Sequence, residues 1–409
     1  MRRVWKIIVV IPFFFWMTGC WDRVEIEERG FVVGVAIDKP LSAKGKEELT
    51  KEAPNKPQAK NRYAVTYQIV VPANVTKEGV GGGGSGGSGK GKASMNITSE
   101  ADSIFEIGRE MSTRTSRTPY FEHLKVIVVS EEVAKTGELP TVLDFFLRNP
   151  EMRRGTVMLI SKGRAKDVLE VEPPNEKLPA IYLQSVSRNT FKAARMEPIV
   201  RIGKLQGFML SKQSYVISAV SPSEKEVKIA GEAIFHSVDN KMLGYLNEEE
   251  TEGQNFLRGK VKGGLLKIPV KDNLVTYEIK REAKNIKAQI QGKDNIHFTI
   301  QIKSEGNIAE SMVHLDFLQP NRIPNLERLV EKEILRMTQD SINKIQKDYK
   351  ADVIGLGEYL ENHHHDFWLK VKDNWDQGEN YFSKCKIDVE ADVRIRNVGI
   401  IDHAANQKE

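Results

Sequence analysis

Residues 13–39 read FFFWMTGCWDRVEIEERGFVVGVAIDK, and this stretch passes from apolar to charged to strand-like around a single cysteine, Cys20. Its last part, residues 31–38 (FVVGVAID), is rich in the β-branched side chains that strands favour. We therefore predict that the chain enters a folded body about ten residues after Cys20. The residues before Cys20 have a different composition, which predicts that they are not part of this folded body.

The first nineteen residues have the pattern of an export signal. Positive charges at positions 2, 3 and 6 precede an apolar run of eleven residues, 7–17, and the small pair Thr18-Gly19 follows. Positive residues, a short apolar run and then small residues are, in this order, typical of a secretory signal peptide. Eleven residues fall short of the roughly 20 that span a bilayer as a helix. We predict that residues 1–19 are a signal peptide and are cleaved.

The end of this leader, Met17-Thr18-Gly19-Cys20, resembles the lipobox of bacterial lipoproteins. Met17 and Thr18 stand where Leu and Ala or Ser are commoner. In lipobox chemistry the cysteine receives a diacylglyceryl thioether built from fatty acids such as palmitate, and the leader is cut before it. Two or more acyl chains give stable anchoring. Cys20 is thus the predicted lipidation site; the alternative is an unmodified cysteine in a plain signal peptide or signal anchor.

Charge and cysteine content restrict the partners of the mature chain. Loss of the three leader cations lowers the formal net charge from +5 to +2, with acids and bases interspersed. This balance argues against nucleic acid as a partner. If Cys20 is acylated, Cys385 has no second cysteine with which to form an intramolecular disulfide. The remaining chain, about 390 residues, is long enough for two or three domains.

Residues 20–200 are predicted to form an N-terminal layered α/β domain, because strand and helix patterns alternate along them. The strand patterns cover residues 31–38, 62–71, 123–130 and 155–161, and the helical patterns cover residues 104–111 and 139–147. Residues 79–92 (GVGGGGSGGSGKGK) interrupt this order. Their glycine content predicts a flexible surface linker.

The rest of the chain is predicted to contain a middle domain, residues 201–270, and a C-terminal α+β domain, residues 271–409. Alternating apolar and polar residues predict strands at 227–236, 274–281, 285–290, 296–303 and 386–395. A long amphipathic helix over 324–349 is predicted to pack on the last sheet. The predicted fold class is multi-domain α/β and α+β, with mixed or antiparallel sheets after the N-terminal domain.

The glycine linker matches three functional patterns. The patterns are GxGxxG at Gly79, Gly81 and Gly84, the start of a phosphate loop at Gly84, Gly89 and Lys90, and GxSxG at Gly83, Ser85 and Gly87. A run that is mostly glycine matches glycine motifs by chance. A phosphate loop must also join a strand directly to a helix, and no such junction is predicted here. We interpret the run as a linker. The alternative function, a cell-surface hydrolase, would rest on these matches alone.

Three further groups of residues suggest chemistry but favour structural roles. His363, His364, His365 and Asp366 could ligate a metal, yet adjacent side chains point in different directions, which favours a solvated loop. Glu248, Glu249, Glu250 and Glu252 favour a helix N-terminus or an exposed patch over catalytic carboxylates. Cys385 lacks an obvious base and favours a structural thiol. We predict no enzyme activity, metal or cofactor.

Several stretches, in order, resemble the Ger(x)C family of spore-germination lipoproteins, the C subunits of germinant receptors. They include GCWDRVEIEERGFVVGVAIDK at 19–39, YFEHLKVIVVSEEVAKTGELPTVLDFFLRNPEMRRGTVMLIS at 120–161 and GEAIFHSVDNKMLGYLNEEETEGQNFLRGKVKGG at 231–264. LGEYLENHHHDFWLKVKDNW at 356–375 and IDVEADVRIRNVGII at 387–401 continue the similarity. The resemblance covers nearly the whole mature chain, and a glycine-rich insertion near residue 80 also resembles other members.

The resemblance implies a non-catalytic subunit with three α/β domains. Cys20 would anchor it to the outer face of the spore inner membrane, beside a multi-spanning A subunit and a transporter-like B subunit. An alternative is a solute-binding lipoprotein of a transport system, which would close two lobes on a ligand. Thermal stabilisation by an amino acid or a sugar would favour this alternative.

Overall fold

The computed structural model describes residues 28–40, 59, 61–75, 91–313 and 319–399. Their strands form two separate sheets, one of nine strands and one of four. The strands of the first sheet are β1 Arg29–Asp38, β2 Tyr63–Val70, β3 Ser94–Ala101, β4 Thr118–Tyr120, β5 Val126–Ser130, β6 Val157–Ser161, β7 Tyr215–Pro222, β8 Val227–Phe235 and β9 Met242–Leu246. The second sheet contains β10 Gly264–Val270, β11 Asn273–Ile290, β12 Ile296–Ser311 and β13 Lys386–Asn397.

The first sheet has a parallel centre and antiparallel edges. Its order is β3-β2-β1-β5-β6-β7-β8-β9, with the short β4 also paired to β1. Strands β1, β5, β6 and β7 run parallel to one another, whereas β2, β3, β8 and β9 are joined by antiparallel pairing. Strands β5 (VIVVS) and β6 (VMLIS) are buried along their full length. Such continuous apolar runs are typical of parallel strands covered on both faces.

Helices cover the first sheet on both sides. The helices of this half are α1 Pro72–Val75, α2 Ile104–Arg114, α3 Glu131–Ala134, α4 Leu139–Arg148, α5 Ala165–Glu170, α6 Pro179–Ser187 and α7 Ile202–Leu210, with a 3-10 turn at Arg188–Phe191. Apolar side chains of α2, α4 and α7 share one core with the sheet. Those of α5 and α6 form the core on the opposite face. The predicted layered α/β arrangement is confirmed.

The second sheet carries the long predicted helix. The remaining helices are α8 Glu248–Arg258, α9 Arg322–Asn343, α10 Leu356–His363, α11 His365–Val371 and α12 Tyr381–Lys384; a π-helical turn, Lys344–Tyr349, extends α9 and a 3-10 turn spans Lys372–Asn374. The buried face of α9 packs in one core with the sheet. Glu331 and Glu327 on α9 accept hydrogen bonds from the backbone N–H groups of Val393 and Ile395 on the edge strand β13. Helix α9 therefore covers an edge that would otherwise be open to pairing.

One detail of the second sheet differs from the pattern predictions. The two strands predicted at 274–281 and 285–290 are one continuous strand, β11, because no turn residue separates them; the alternation changes phase at a register shift between Ile279 and Arg281. Strand β13 pairs parallel to β12, and parallel neighbours need a crossover such as the one α9 provides. The predicted multi-domain α/β and α+β class, with a mixed sheet at the end, is confirmed.

The strands of residues 201–270 divide between the two sheets. Strands β7, β8 and β9 complete the first sheet, whereas β10 begins the second. Helix α8 lies between them in sequence and packs against α9. At Gly253 a Cβ atom would lie 2.3 Å from the carbonyl oxygen of Met337, so only glycine allows this close approach. The domain boundaries at 200 and 270 remain predictions.

Candidate functional site

The predicted lipidation site, Cys20, lies outside the described residues. The described residues begin at Glu28, eight residues later, and β1 begins at Arg29. An extended chain spans at most about 3.6 Å per residue, so a lipid on Cys20 would hold the start of β1, nine residues later, within roughly 32 Å of the bilayer. Because β1 lies inside the first sheet, such an anchor would attach the folded core directly.

Aromatic contacts fix the beginning of β1. The guanidinium carbon of Arg29 lies 4.1 Å from the ring centroid of Tyr120. The Phe31 ring meets those of Tyr120 and His123 edge to face, at centroid distances of 5.9 and 5.4 Å. Each such contact adds about 0.5–1.5 kcal/mol beyond simple burial. These ring contacts therefore hold the first residues of β1, the strand that follows the proposed anchor.

The glycine run joins two paired strands. Residues 76–90, which contain Gly79, Gly81, Gly83, Gly84, Ser85, Gly87, Gly89 and Lys90, lie outside the described residues. On either side, the N–H of Val71 donates to the carbonyl oxygen of Ala93 over 2.8 Å, and β2 pairs antiparallel with β3. The run thus leads into a strand rather than a helix. A phosphate loop needs a helix N-terminus at this point.

The histidine run lies where two short helices meet. His363 ends α10 and its ring stacks on that of Tyr359, with centroids 4.4 Å apart, while His365 begins α11. The predicted solvated loop is therefore wrong in its secondary structure. In the described part of the chain, no three His, Cys, Asp or Glu side chains are grouped to hold a metal ion.

The acidic run begins helix α8, as predicted. The side chain of Asn247 accepts from the N–H of Glu250, and the Glu250 carboxylate accepts from the N–H of Asn247, which forms a capping box. Glu252 differs from its neighbours because its side chain is only 1% exposed. It accepts from Nε of Arg195 over 3.2 Å. Burial raises the pKa of Glu252 to about 7.

Replacing Glu252 with Gln should flatten the pH dependence of stability. Because the folded-state pKa is raised from 4.5 to about 7, the stability contributed by the protonated form is complete below 4.5 and is lost as pH rises through 7. Between pH 5 and 8, the free energy of unfolding of the parent should fall by roughly 2–3 kcal/mol relative to Glu252→Gln. Urea unfolding at both pH values measures this difference.

Glu249→Gln is the matched control on the same helix. Glu249 is 59% exposed and pairs with Arg336. The difference in free energy of unfolding between Glu249→Gln and the parent should therefore vary by less than about 0.5 kcal/mol between pH 5 and 8. Equal behaviour of the two variants would contradict the role given to Glu252.

Cys385 is a buried thiol at the start of β13. Its Sγ donates to the carbonyl oxygen of Tyr381 over 3.2 Å. Burial raises the pKa of this thiol to about 12, which keeps it as the unreactive S–H form at neutral pH. The structural interpretation of Cys385 is confirmed.

A buried ion cluster, which the sequence patterns did not indicate, connects the two halves of the molecule. The first half is the nine-stranded sheet with helices α1–α7, and the second is the four-stranded sheet with helices α8–α12. Nη1 of Arg258, in the last turn of α8, lies 2.8 Å from both carboxylate oxygens of Glu197. Glu232 on β8 is fully buried. Its burial, reinforced by the nearby Glu197, raises the pKa of Glu232 well above its usual range. We define these three residues as the junction cluster.

A second buried contact between the halves centres on Asp376. This carboxylate accepts from the hydroxyl groups of Ser214 and Ser237 in the first half, over 2.5 and 3.3 Å. It also accepts from the N–H of Asp352 in the second half, over 3.2 Å. Burial raises the pKa of Asp376. Both contacts join residues far apart in sequence, so no local pattern could have predicted them.

Two mixed sheets, joined through buried polar contacts, define a two-sheet α/β protein. Its relatives are spore germination proteins. The family model described as spore germination protein N-terminal domain matches residues 22–222, and the model for the spore germination B3/GerAC-like C-terminal region matches residues 230–399. The chain therefore belongs to the Ger(x)C family, as the resemblance predicted.

Individual relatives match along almost the whole chain. The chain is 35% identical to spore germination protein YndF of Bacillus subtilis (strain 168) over 402 residues, 98% of each chain. It is 28% identical to spore germination protein B3 of the same organism, covering 98% of this chain and 100% of B3. The crystal structure of the GerBC protein matches with a TM-score of 0.58 and 25% identity, over 91% of this chain and 100% of that one.

Proposed function

We propose that this chain is the lipid-anchored C subunit of a spore germinant receptor. Acylated Cys20 holds it on the outer face of the spore inner membrane, and it works beside the membrane-spanning A and B subunits. Its role is non-catalytic: it assembles the receptor or passes on the signal that nutrients trigger.

The observation that carries this proposal is the extent of the family match. The N-terminal and C-terminal family models together cover both sheets, and the relatives named as spore germination proteins match over nearly their full length. Within the described ranges, no helix is long and apolar enough to cross a bilayer. A lipid on Cys20, close to β1, supplies the attachment that this proposal requires.

Spores that lack this chain should lose or slow their germination response to at least one nutrient of a panel of amino acids and sugars. The parental gene should restore the response, because a receptor without its C subunit is incomplete. The fall in optical density after nutrient addition measures germination. An unchanged response to every nutrient would contradict the proposal, and a defect in solute uptake with normal germination would support the solute-binding alternative.

A further inference from the structure

A cleft of about 1010 Å³ lies between the two halves of the molecule. Helix α7 and the beginning of β7 line one side, and β11 together with residues 352–377 lines the other. The lining includes six cationic side chains: Lys212, Lys372 and a group of four, Lys204, Arg258, Lys260 and Lys284. The group of four comes from three elements: α7, the end of α8 and β11. Ligand sites of proteins typically occupy clefts of about this size between domains.

The backbone at the end of α8 brings these cations together. Gly259 caps the helix in the left-handed conformation, with φ of 67°. A Cβ atom on Gly259 would lie 3.1 Å from the Cβ of Lys284, so the chain passes closely over β11 at this point. Lys260 follows directly. Arg258 and Lys260 consequently act on the charge of both Lys204 and Lys284.

Three cations of this group of four lack a bonding partner among the described residues. Arg258 is held by Glu197 over 2.8 Å. In contrast, no hydrogen bond or ion pair within the described part of the chain involves the ammonium group of Lys204, Lys260 or Lys284. The Nζ atom of Lys204 lies 5.2 Å from the Phe208 ring centroid. Like charges that are close together and not bonded to carboxylates repel one another and raise the electrostatic potential in this part of the cleft.

Five carboxylates also line the cleft, those of Asp352, Glu358, Glu361, Asp373 and Asp376. Glu197 is engaged with Arg258, Asp352 and Asp376 accept hydrogen bonds from neighbouring residues, and Glu358 acts on the charge of both Lys204 and Lys284. Burial raises the pKa of Glu282 to about 7, so this group carries little charge below neutral pH. Desolvation and the proximity of Arg258 lower the pKa values of Lys204 and Lys284. An anion bound beside these side chains would offset the repulsion between them.

We propose that the part of the cleft lined by Lys204, Lys260 and Lys284 binds a small anion that carries phosphate or carboxylate groups. Each ammonium group offers three donors, and hydrogen bonds between charged partners are about twice as strong as neutral ones. Phe208 and Trp368 line the same cleft and can contact an apolar part of the ligand. This inference is independent of the proposed receptor function.

Calorimetric titration of the full-length chain in a neutral detergent tests the site. Inorganic phosphate and citrate serve as separate probes at constant, low ionic strength. We expect saturable binding of at least one probe, and Lys284→Gln should weaken it about tenfold or more because a charge-assisted hydrogen bond is lost. Saturation by phosphate alone would identify a phosphate ligand, and saturation by citrate alone a carboxylate ligand.

Lys287→Gln is the matched control. Lys287 is exposed on the same strand three positions further on, and an odd spacing places its side chain on the opposite face. The affinity of Lys287→Gln for the probe should stay within about twofold of the parent affinity, well below the tenfold loss expected for Lys284→Gln. No saturation by either probe up to about 10 mM, or equal weakening by both variants, would overturn the proposal.

The stability of the variants separates loss of binding from loss of fold. Without the probe, Lys284→Gln should melt no lower than the parent, because it removes one of several like charges. If this variant unfolds, Lys204→Gln on helix α7 provides a second test from a different element, with the same expected loss of affinity. Full binding by a folded Lys204→Gln/Lys284→Gln double variant would also overturn the proposal.

Discussion

Replacing Arg258 with Ala is expected to lower the free energy of unfolding by about 3–5 kcal/mol, as removal of one partner from a buried ion pair does. Arg258 is 14% exposed and Glu197 is 2% exposed, so the carboxylate would remain buried without a counter-charge. Urea unfolding at neutral pH measures the loss through the transition midpoint.

Two variants show whether burial of the charge is the cause. Arg148 also ends a helix with a carboxylate at 2.7 Å, Asp144, but it is 78% exposed, so Arg148→Ala should cost less than about 1 kcal/mol. Glu232→Gln should change stability by less than about 1 kcal/mol, because the raised pKa already favours a neutral acid of the same size. Equal losses for Arg258→Ala and Arg148→Ala would contradict the junction cluster's role.

Replacing Cys20 with Ala is expected to move nearly all of the chain from the membrane fraction to the soluble fraction. Cys20 is the proposed acylation site, and a lipid on it would supply binding energy to the bilayer of about 0.8 kcal/mol for each buried CH₂ group. Fractionation of broken spores followed by immunoblotting measures the distribution. The nutrient response should weaken in parallel, because the subunit would no longer stay beside its partners.

Cys385→Ala is the matched control for this variant. Cys385 is the other cysteine of the chain, and its thiol is buried and bonded to Tyr381. Its replacement removes one buried polar contact but no anchor, so membrane association should remain unchanged. Full membrane retention of Cys20→Ala would mean that another part of the chain, or a partner, provides the attachment.

Periodicity in the sequence predicted the elements that have one clear apolar face. The helix predicted at 324–349 is observed as Arg322–Asn343 with its π-helical extension, and the strand predicted at 386–395 is observed as Lys386–Asn397. In both elements the buried residues follow the period of a helix or strand against a single neighbouring layer. The split predicted within β11 failed because alternation alone does not show where a strand ends.

Long-range polar contacts could not be predicted in this way. Glu197 and Arg258 are 61 positions apart, and Ser214 and Asp376 are 162 positions apart. Each residue looks like an ordinary surface residue in its local sequence, because burial arises only when the two sheets meet. The same reason hid Lys284, which lies on the half-buried face of β11 two residues before Ile286 and is approached by the end of α8.

Co-purification from detergent-solubilised spore inner membranes tests the receptor-subunit proposal most directly. A C-terminally tagged chain is recovered, and mass spectrometry identifies both its companions and its own N-terminal peptide. The proposal predicts a multi-spanning pair of partners and an N-terminal peptide that begins at acylated Cys20. Recovery of the chain alone or with a transport ATPase, or with an unmodified Cys20, would contradict it.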